Sequence, residues 1–139
     1  MANWQWFTKA HKKIFNLSGG RLGASMGGQK IVMINTIGRK SGQLRQVPVA
    51  CYPHKEFITV VASNNGLPKD PVWWLNLQSQ PTVMAQLGTQ KQHVKAELLC
   101  GKDRDEAWDT VIKINPRQKV YAEQVERELP LVYLRPIDC

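Results

Sequence analysis

No run of about 18 uncharged apolar residues occurs in this sequence, so nothing in it reads as a membrane-spanning helix. Residues 1–15 hold no uninterrupted apolar stretch and no small-residue cleavage site, and we read no signal peptide. Cysteine is scarce. Cys51, Cys100 and Cys139 are odd in number and far apart, which supports neither a disulfide framework nor a C-x-x-C metal site. Reduced thiols in a cytoplasmic protein are the simpler reading, with Cys51 a core residue of a strand rather than a nucleophile. His11, His54 and His93 are isolated, so no metal site is expected. G-x-G-x-x-G and G-x-x-x-x-G-K-S/T are both absent, which removes two common phosphate-binding loops. The acidic residues form no evident catalytic pair; Asp103, Asp105 and Glu106 belong to a helix start, where the dipole favours them. Strands and helices do not alternate, which argues against a doubly wound parallel sheet. No internal repeat or low-complexity segment stands out.

What is present is the composition of one ordinary globular domain. The 139 residues are 42% hydrophobic and 22% charged, enough to bury a core without staples. The formal net charge is +8, which calls for an anionic partner. A phosphorylated cofactor, a membrane surface and nucleic acid all fit that charge. The cations are scattered rather than blocked and no aromatic ladder accompanies them, so no nucleic-acid partner is expected.

Residues 1–29 read as a front segment. Trp4, Phe7, Ala10, His11, Ile14, Phe15 and Leu17 recur at helical spacing, with Asn3 as N-cap and Lys9, Lys12 and Lys13 mostly off the stripe. This amphipathic helix either packs on the domain or lies in a membrane interface, where Trp and Lys are a common combination. A glycine-rich connector follows over residues 21–29. Residues 30–139 read as a single domain. Strands are expected at 30–37, 43–52, 57–63, 82–87, 91–99 and 129–134. Pro48 predicts an edge or a bulge in the second of these, and Pro53, His54 and Lys55 a turn after it. Asp70 as N-cap and Pro71 at the first helical position open a short helix ending before Pro81. A second helix is expected over residues 103–114 and a turn of helix somewhere in 120–128. About six short, mostly antiparallel strands with flanking helices point to a small barrel.

The stretch richest in chemistry is the turn Gly38-Arg39-Lys40-Ser41-Gly42 and the strand leaving it. Two glycines bracket two cations and a hydroxyl, and Arg45 adds a third cation. Such a turn can gather backbone N–H groups around an anion, or it can be an ordinary hairpin. A second basic, glycine-containing segment spans residues 63–76. It adds a helix N-terminus suited to an anion, Lys69 just before it, Trp73 or Trp74 as a flat wall, and the amide of Asn76. One tryptophan of the pair is expected in the core, because adjacent helical positions do not share a face.

Three ordered stretches then carry a resemblance: residues 36–45, residues 61–71 with Trp73-Trp74-Leu75-Asn76-Leu77, and Tyr121 followed by Arg127-Glu128-Leu129-Pro130-Leu131. Together they resemble the deazaflavin-dependent nitroreductase family over about residues 30–136. The resemblance implies a split β-barrel related to the flavin-reductase barrels. It implies binding of coenzyme F420, an 8-hydroxy-5-deazaflavin with a phosphate and an oligoglutamate tail. By position, Arg39, Lys40, Ser41, Gly42 and Arg45 would hold the phosphate and tail, with Lys69 beside them. Pro48, Ala62, Ser63, Asn64, Trp73 and Asn76 would line the ring, and Tyr121 would face the substrate side. The implied reaction is hydride transfer from the reduced deazaflavin to a quinone, enone or nitro compound, with Ser63 and Tyr121 as the hydroxyls at hand.

The chain departs from the family's pattern at Ala50, where an aromatic residue is common, and at Asn64, where a cation is common. Asn115 and Gln118 occupy two places that tyrosines often fill. The acceptor pocket is therefore expected to differ. Two other readings accompany the F420 enzyme: a barrel of the same kind using FMN, and a non-catalytic flavin- or deazaflavin-binding protein. Monomer and homodimer are both compatible with the sequence, as is peripheral membrane contact through the first helix.

Overall fold

The structure, a computed structural model, describes residues 25–26 and 29–137. The expected helix over residues 3–17 and most of the connector fall outside them. The described chain runs through β1 (Ser25–Met26), β2 (Gln29–Ile37), β3 (Leu44–His54), β4 (Phe57–Val61), α1 (Val72–Ser79), β5 (Thr82–Leu87), β6 (Gln90–Leu98), α2 (Gly101–Ile114), α3 (Arg117–Gln124) and β7 (Leu131–Pro136). Every strand pairing is antiparallel. The order is β2-β3-β4-β7-β6-β5, and β5 returns to pair with β2, closing a six-stranded barrel; β1 is a short addition to β2. This is the small barrel with flanking helices that the strand pattern implied, and the split barrel that the resemblance implied.

The continuous apolar runs are explained by burial on both faces. In β7, Val132 and Leu134 point into the barrel, where they meet Val32, Ile34, Val60, Ala85 and Val94. Leu131 and Tyr133 alternate outward, against Ala107 and Val111 of α2 and Tyr52 of β3. A strand covered on both sides loses its polar alternation. Helix α1 closes one end of the barrel with Trp74 and Leu77, both in the inner core.

Several boundaries differ from expectation. Pro48 causes no bulge: the register from Ile31 opposite Ala50 to Ile37 opposite Leu44 is unbroken. Gly38 N–H donates to the Gln43 carbonyl, so by alternation Pro48 sits in a non-hydrogen-bonded pair, where its missing donor breaks no ladder bond. Residues 44–50 pair only with β2, which leaves the other side of this half of β3 as an edge. Pro53 and His54 belong to β3, and the turn falls at Lys55 with φ +48°. Asp70 is not an N-cap; Pro71 takes that position and the Asp70 carboxylate pairs with Arg127 at 2.8 Å instead. The ambiguous segment near residue 120 is the full helix α3, started by Pro116. The last strand begins at Leu131 rather than at residue 129, and Ser25–Met26 puts a strand where only a connector was expected.

Candidate active site

The edge of β3, the loop after β4, the start of α1 and the α2–α3 corner enclose one cleft of about 1050 Å³. Its long axis follows β3. From Arg45 to Ala50 the strand rises roughly 17 Å at 3.3 Å per residue.

At the Arg45 end sits the glycine turn. Gly42 N–H donates to the Gly38 carbonyl and Gly38 N–H to Gln43, both at 2.8 Å. Gln43 N–H goes to Ser41 Oγ at 3.2 Å, and Arg39 N–H to the Oδ1 of buried Asn76 at 3.1 Å. The turn therefore gathers fewer free donors than its composition implied. The N–H groups of Lys40 and Ser41 remain without partners among the described residues. A Cβ added at Gly38 would lie 2.5 Å from Ser41 Oγ and so would displace that hydroxyl from the bond it accepts from Gln43 N–H. Arg39, Lys40, Ser41 and Arg45 all line the cleft and are exposed. Gly42 closes the turn at φ +69° but does not line the cleft.

Asn76 joins this turn to α1. Its Oδ1 is engaged, whereas its Nδ2 has no partner among the described residues and the residue lines the cleft. Trp73 lies half-buried on the same wall, while Trp74 is in the core, dividing the pair as helical geometry requires. The N–H groups of Val72 and Trp73 at the helix start add two more donors without partners among the described residues, where the helix dipole favours an anion. Pro48 lines the middle of the cleft from the β3 edge.

The loop of residues 62–70 forms the facing wall. Asn64, Asn65 and Gly66 are all left-handed, with φ of +50°, +56° and +77°. Asn64 Nδ2 donates to the Lys69 carbonyl at 3.0 Å, so half of its amide holds the loop rather than facing a ligand. Ser63 is buried, lines the cleft, and its hydroxyl has no partner among the described residues. Lys69 is exposed on the rim. Ala62, expected against the ring, is fully buried in the inner core and does not line the cleft; its backbone accounts for the position. The Ala62 carbonyl accepts from Arg127, which also donates to the carbonyls of Ser63 at 3.0 Å and Leu67 at 3.2 Å. One guanidinium, with Asp70 as counter-ion, thus fixes this wall. Sequence reasoning quoted Arg127 only within a motif, and its partners lie 57 to 65 residues away, beyond any local signal.

The far end is built by α2 and α3. Tyr121 is half-buried and lines the cleft. It packs on Gly66, where an added Cβ would come 3.0 Å from the Tyr121 ring. Buried Tyr52 accepts N–H bonds from Asn115 and Gln118, both at 3.1 Å, and burial raises its pKa above the ordinary 10 despite these bonds. Asn115, Arg117 and Gln118 also line the cleft. Arg117 and the Tyr52 network were not foreseen.

Residues 6–136 match the sequence pattern of the F420H(2)-dependent quinone reductase family. The chain belongs to that family. It is an F420-dependent oxidoreductase. The chain is 28% identical over 130 residues to the F420H(2)-dependent quinone reductase Rv1261c of Mycobacterium tuberculosis, covering 91% of this chain and 87% of the relative. Among solved structures it is similar to an F420-H2 dependent reductase, FDR-A, with 32% identity and a TM-score of 0.68, over 73% of this chain and 90% of that one. A structure described as a domain-swapped dimer matches with 27% identity and a TM-score of 0.71, over 94% and 97% of the two chains. Among the described residues, no helix is long and apolar enough to cross a membrane.

The cleft fits this cofactor. Three cations and two unpaired N–H groups stand at one end, a flat aromatic wall and amide and hydroxyl groups at the middle, and a polar corner at the other.

Proposed function

We propose that the cleft seats F420 along β3 and that the acceptor is a quinone bound at the Tyr121 end. The carrying observation is the separation of function along the strand. Arg39, Lys40 and Arg45 line the cleft at the glycine turn, where the N–H groups of Lys40 and Ser41 have no partner among the described residues, and Arg45 lies roughly 17 Å along the strand from Ala50. A phosphate and carboxylates belong at the first end, since cations and backbone donors both favour them. The ring belongs between Pro48 and Trp73, within reach of Asn76 Nδ2 and the Ser63 hydroxyl.

When bound, reduced F420 supplies the hydride; with one proton it converts a quinone to a hydroquinone. The protein's part is orientation, water exclusion and charge stabilisation. Trp73, Pro48 and Val49 give an apolar wall that excludes water from the reacting faces. The Tyr121 hydroxyl, without a partner among the described residues, can donate to the oxygen that gains negative charge. Ser63 offers a second donor on a backbone that Arg127 holds in place. No covalent intermediate is needed.

The test is titration of the pure protein with F420, read by tryptophan quenching, with FMN in parallel. Turnover of reduced F420 is then measured with 1,4-naphthoquinone and with a nitroaromatic and an enone. Saturable F420 binding and quinone turnover support the reading. Absence of F420 binding, tighter binding of FMN, or binding without turnover of any acceptor would overturn it.

A further inference from the structure

The acceptor end carries a charge that the reaction itself does not need. Arg117 lines the cleft beside Gln118 and Asn115, and it is exposed there. Its guanidinium forms no ion pair and no hydrogen bond among the described residues. Only its backbone is engaged, donating to Asn115 Oδ1 at 3.2 Å. Gln118, only 6% exposed, lines the same corner, and its buried Oε1 has no partner among the described residues. Its Nε2 and the Nδ2 of Asn115 both donate to the Tyr52 hydroxyl oxygen, which anchors both amides to the barrel wall. An unpartnered buried acceptor is costly unless a ligand donor reaches it.

Resting on the proposed quinone reductase reading, we propose that Arg117 selects acceptors bearing an acidic substituent, such as a carboxylate or sulfonate on the quinone. The guanidinium pairs with that anion by paired N–H bonds. The anchoring by Tyr52 keeps the corner rigid, so the acid fixes which face of the quinone ring meets the cofactor. The cations at the glycine turn lie at the opposite end of the cleft and serve a different anion.

The experiment compares 1,4-naphthoquinone-2-sulfonate with 1,4-naphthoquinone as acceptors for reduced F420, in the wild-type chain and in Arg117→Gln and Arg117→Glu. The quantity read is the ratio of kcat/KM for the two quinones. It should fall about fivefold in Arg117→Gln, the worth of one partly exposed ion pair, and further in Arg117→Glu. The change should lie in KM rather than kcat. A second readout does not depend on turnover: quenching by naphthalene-2-sulfonate, which cannot be reduced, should weaken in both variants while quenching by 2-naphthol does not follow it. Melting temperatures confirm that the variants are folded. An unchanged ratio and unchanged sulfonate binding overturn the proposal. So does a rise in the Kd for F420 without a change in the ratio, which would give Arg117 to the cofactor. Failure of reduced F420 to reduce either quinone would count against the parent reading instead, and the sulfonate-binding arm would still decide the role of Arg117.

Discussion

Replacing Lys40 and Arg45 together by alanine separates an anion seat from an ordinary hairpin. Both side chains are exposed and neither forms an ion pair among the described residues. The bonds that shape the turn are made by the backbone of Gly38, Gly42 and Gln43 and by Ser41 Oγ. Their loss should therefore change stability by no more than about 0.5 kcal/mol, as for a surface substitution. That corresponds to roughly 2 °C in a domain of this size. Binding should respond very differently. A unit charge about 4 Å from an anionic group gains about 1 kcal/mol even at the screening of bulk water. Two such contacts amount to about 2 kcal/mol, a loss of roughly thirtyfold in Kd for F420.

Salt supplies the internal control. At about 1 M ionic strength the screening length contracts to about 3 Å, so wild-type affinity should fall toward that of the variant. The riboside of the deazaflavin, which lacks phosphate and glutamates, should bind both proteins alike. Tryptophan quenching at low and high salt, with thermal melts beside it, gives all four numbers. An F420 affinity unchanged by the double substitution at low salt would refute the reasoning. So would a melting temperature that falls in step with affinity, because the turn would then be structural.

Tyr121→Phe should leave F420 affinity intact and lower kcat for quinones; equal turnover in stopped-flow would remove the hydroxyl from the reaction. Burial, helped by Lys55 and opposed by Asp103 and Glu106, lowers the His54 pKa below its ordinary 6.5, and its buried Nε2 has no partner among the described residues. The unfolded chain therefore takes up that proton at higher pH than the folded one, and stability should decline as pH falls through 6.5 and level off below the folded pKa. His54→Gln should flatten that part of the melting curve against pH, and parallel curves would contradict it. The Cys51 thiol is buried and pushed up to about 12, whereas Cys100 is exposed. Iodoacetamide on the native protein, mapped by mass spectrometry, should modify Cys100 and spare Cys51; labelling of Cys51 at a similar rate would show the barrel opening.

The barrel was legible because its signals are local. Continuous β-branched runs, the Gly88-containing turn and the apolar stripe of α2 each announce one element, and antiparallel neighbours in sequence became neighbours in space. The glycine turn was legible as a cationic place, but its donor count was not, since it depends on Asn76 arriving from α1 to take the Arg39 N–H. Asp70 was misread for a similar reason. Its position before Pro71 satisfies a capping pattern, yet a guanidinium 57 residues onward offers a charged partner, and a charged pair outweighs a cap. Ala62 lies beside Ser63 in sequence, but the chain leaves β4 at Val61 and Ser63 turns into a helical conformation, so Ala62 packs into the core while Ser63 lines the cleft.

Arg127 shows why the site depends on contacts that sequence order hides. The loop of residues 62–70 contains two left-handed asparagines and a left-handed glycine, a conformation that local preference holds weakly. Arg127 donates to three of its carbonyls and to Asp70, and its side chain is mostly buried while doing so. Those bonds run from the segment after α3 to the wall that carries Ser63, and α3 itself carries Tyr121. The backbone of Ser63 and the side chain of Tyr121, both lining the cleft, are therefore tied to one short stretch of chain, residues 117–127. Lysine at position 127 would keep the charge but could not reach three carbonyls and a carboxylate at once, because one ammonium lacks the spread of a planar guanidinium. The Arg127-Glu128-Leu129-Pro130-Leu131 stretch thus has two physical roles: Arg127 braces the wall that carries Ser63, and Leu129 and Leu131 are buried in the core against α2.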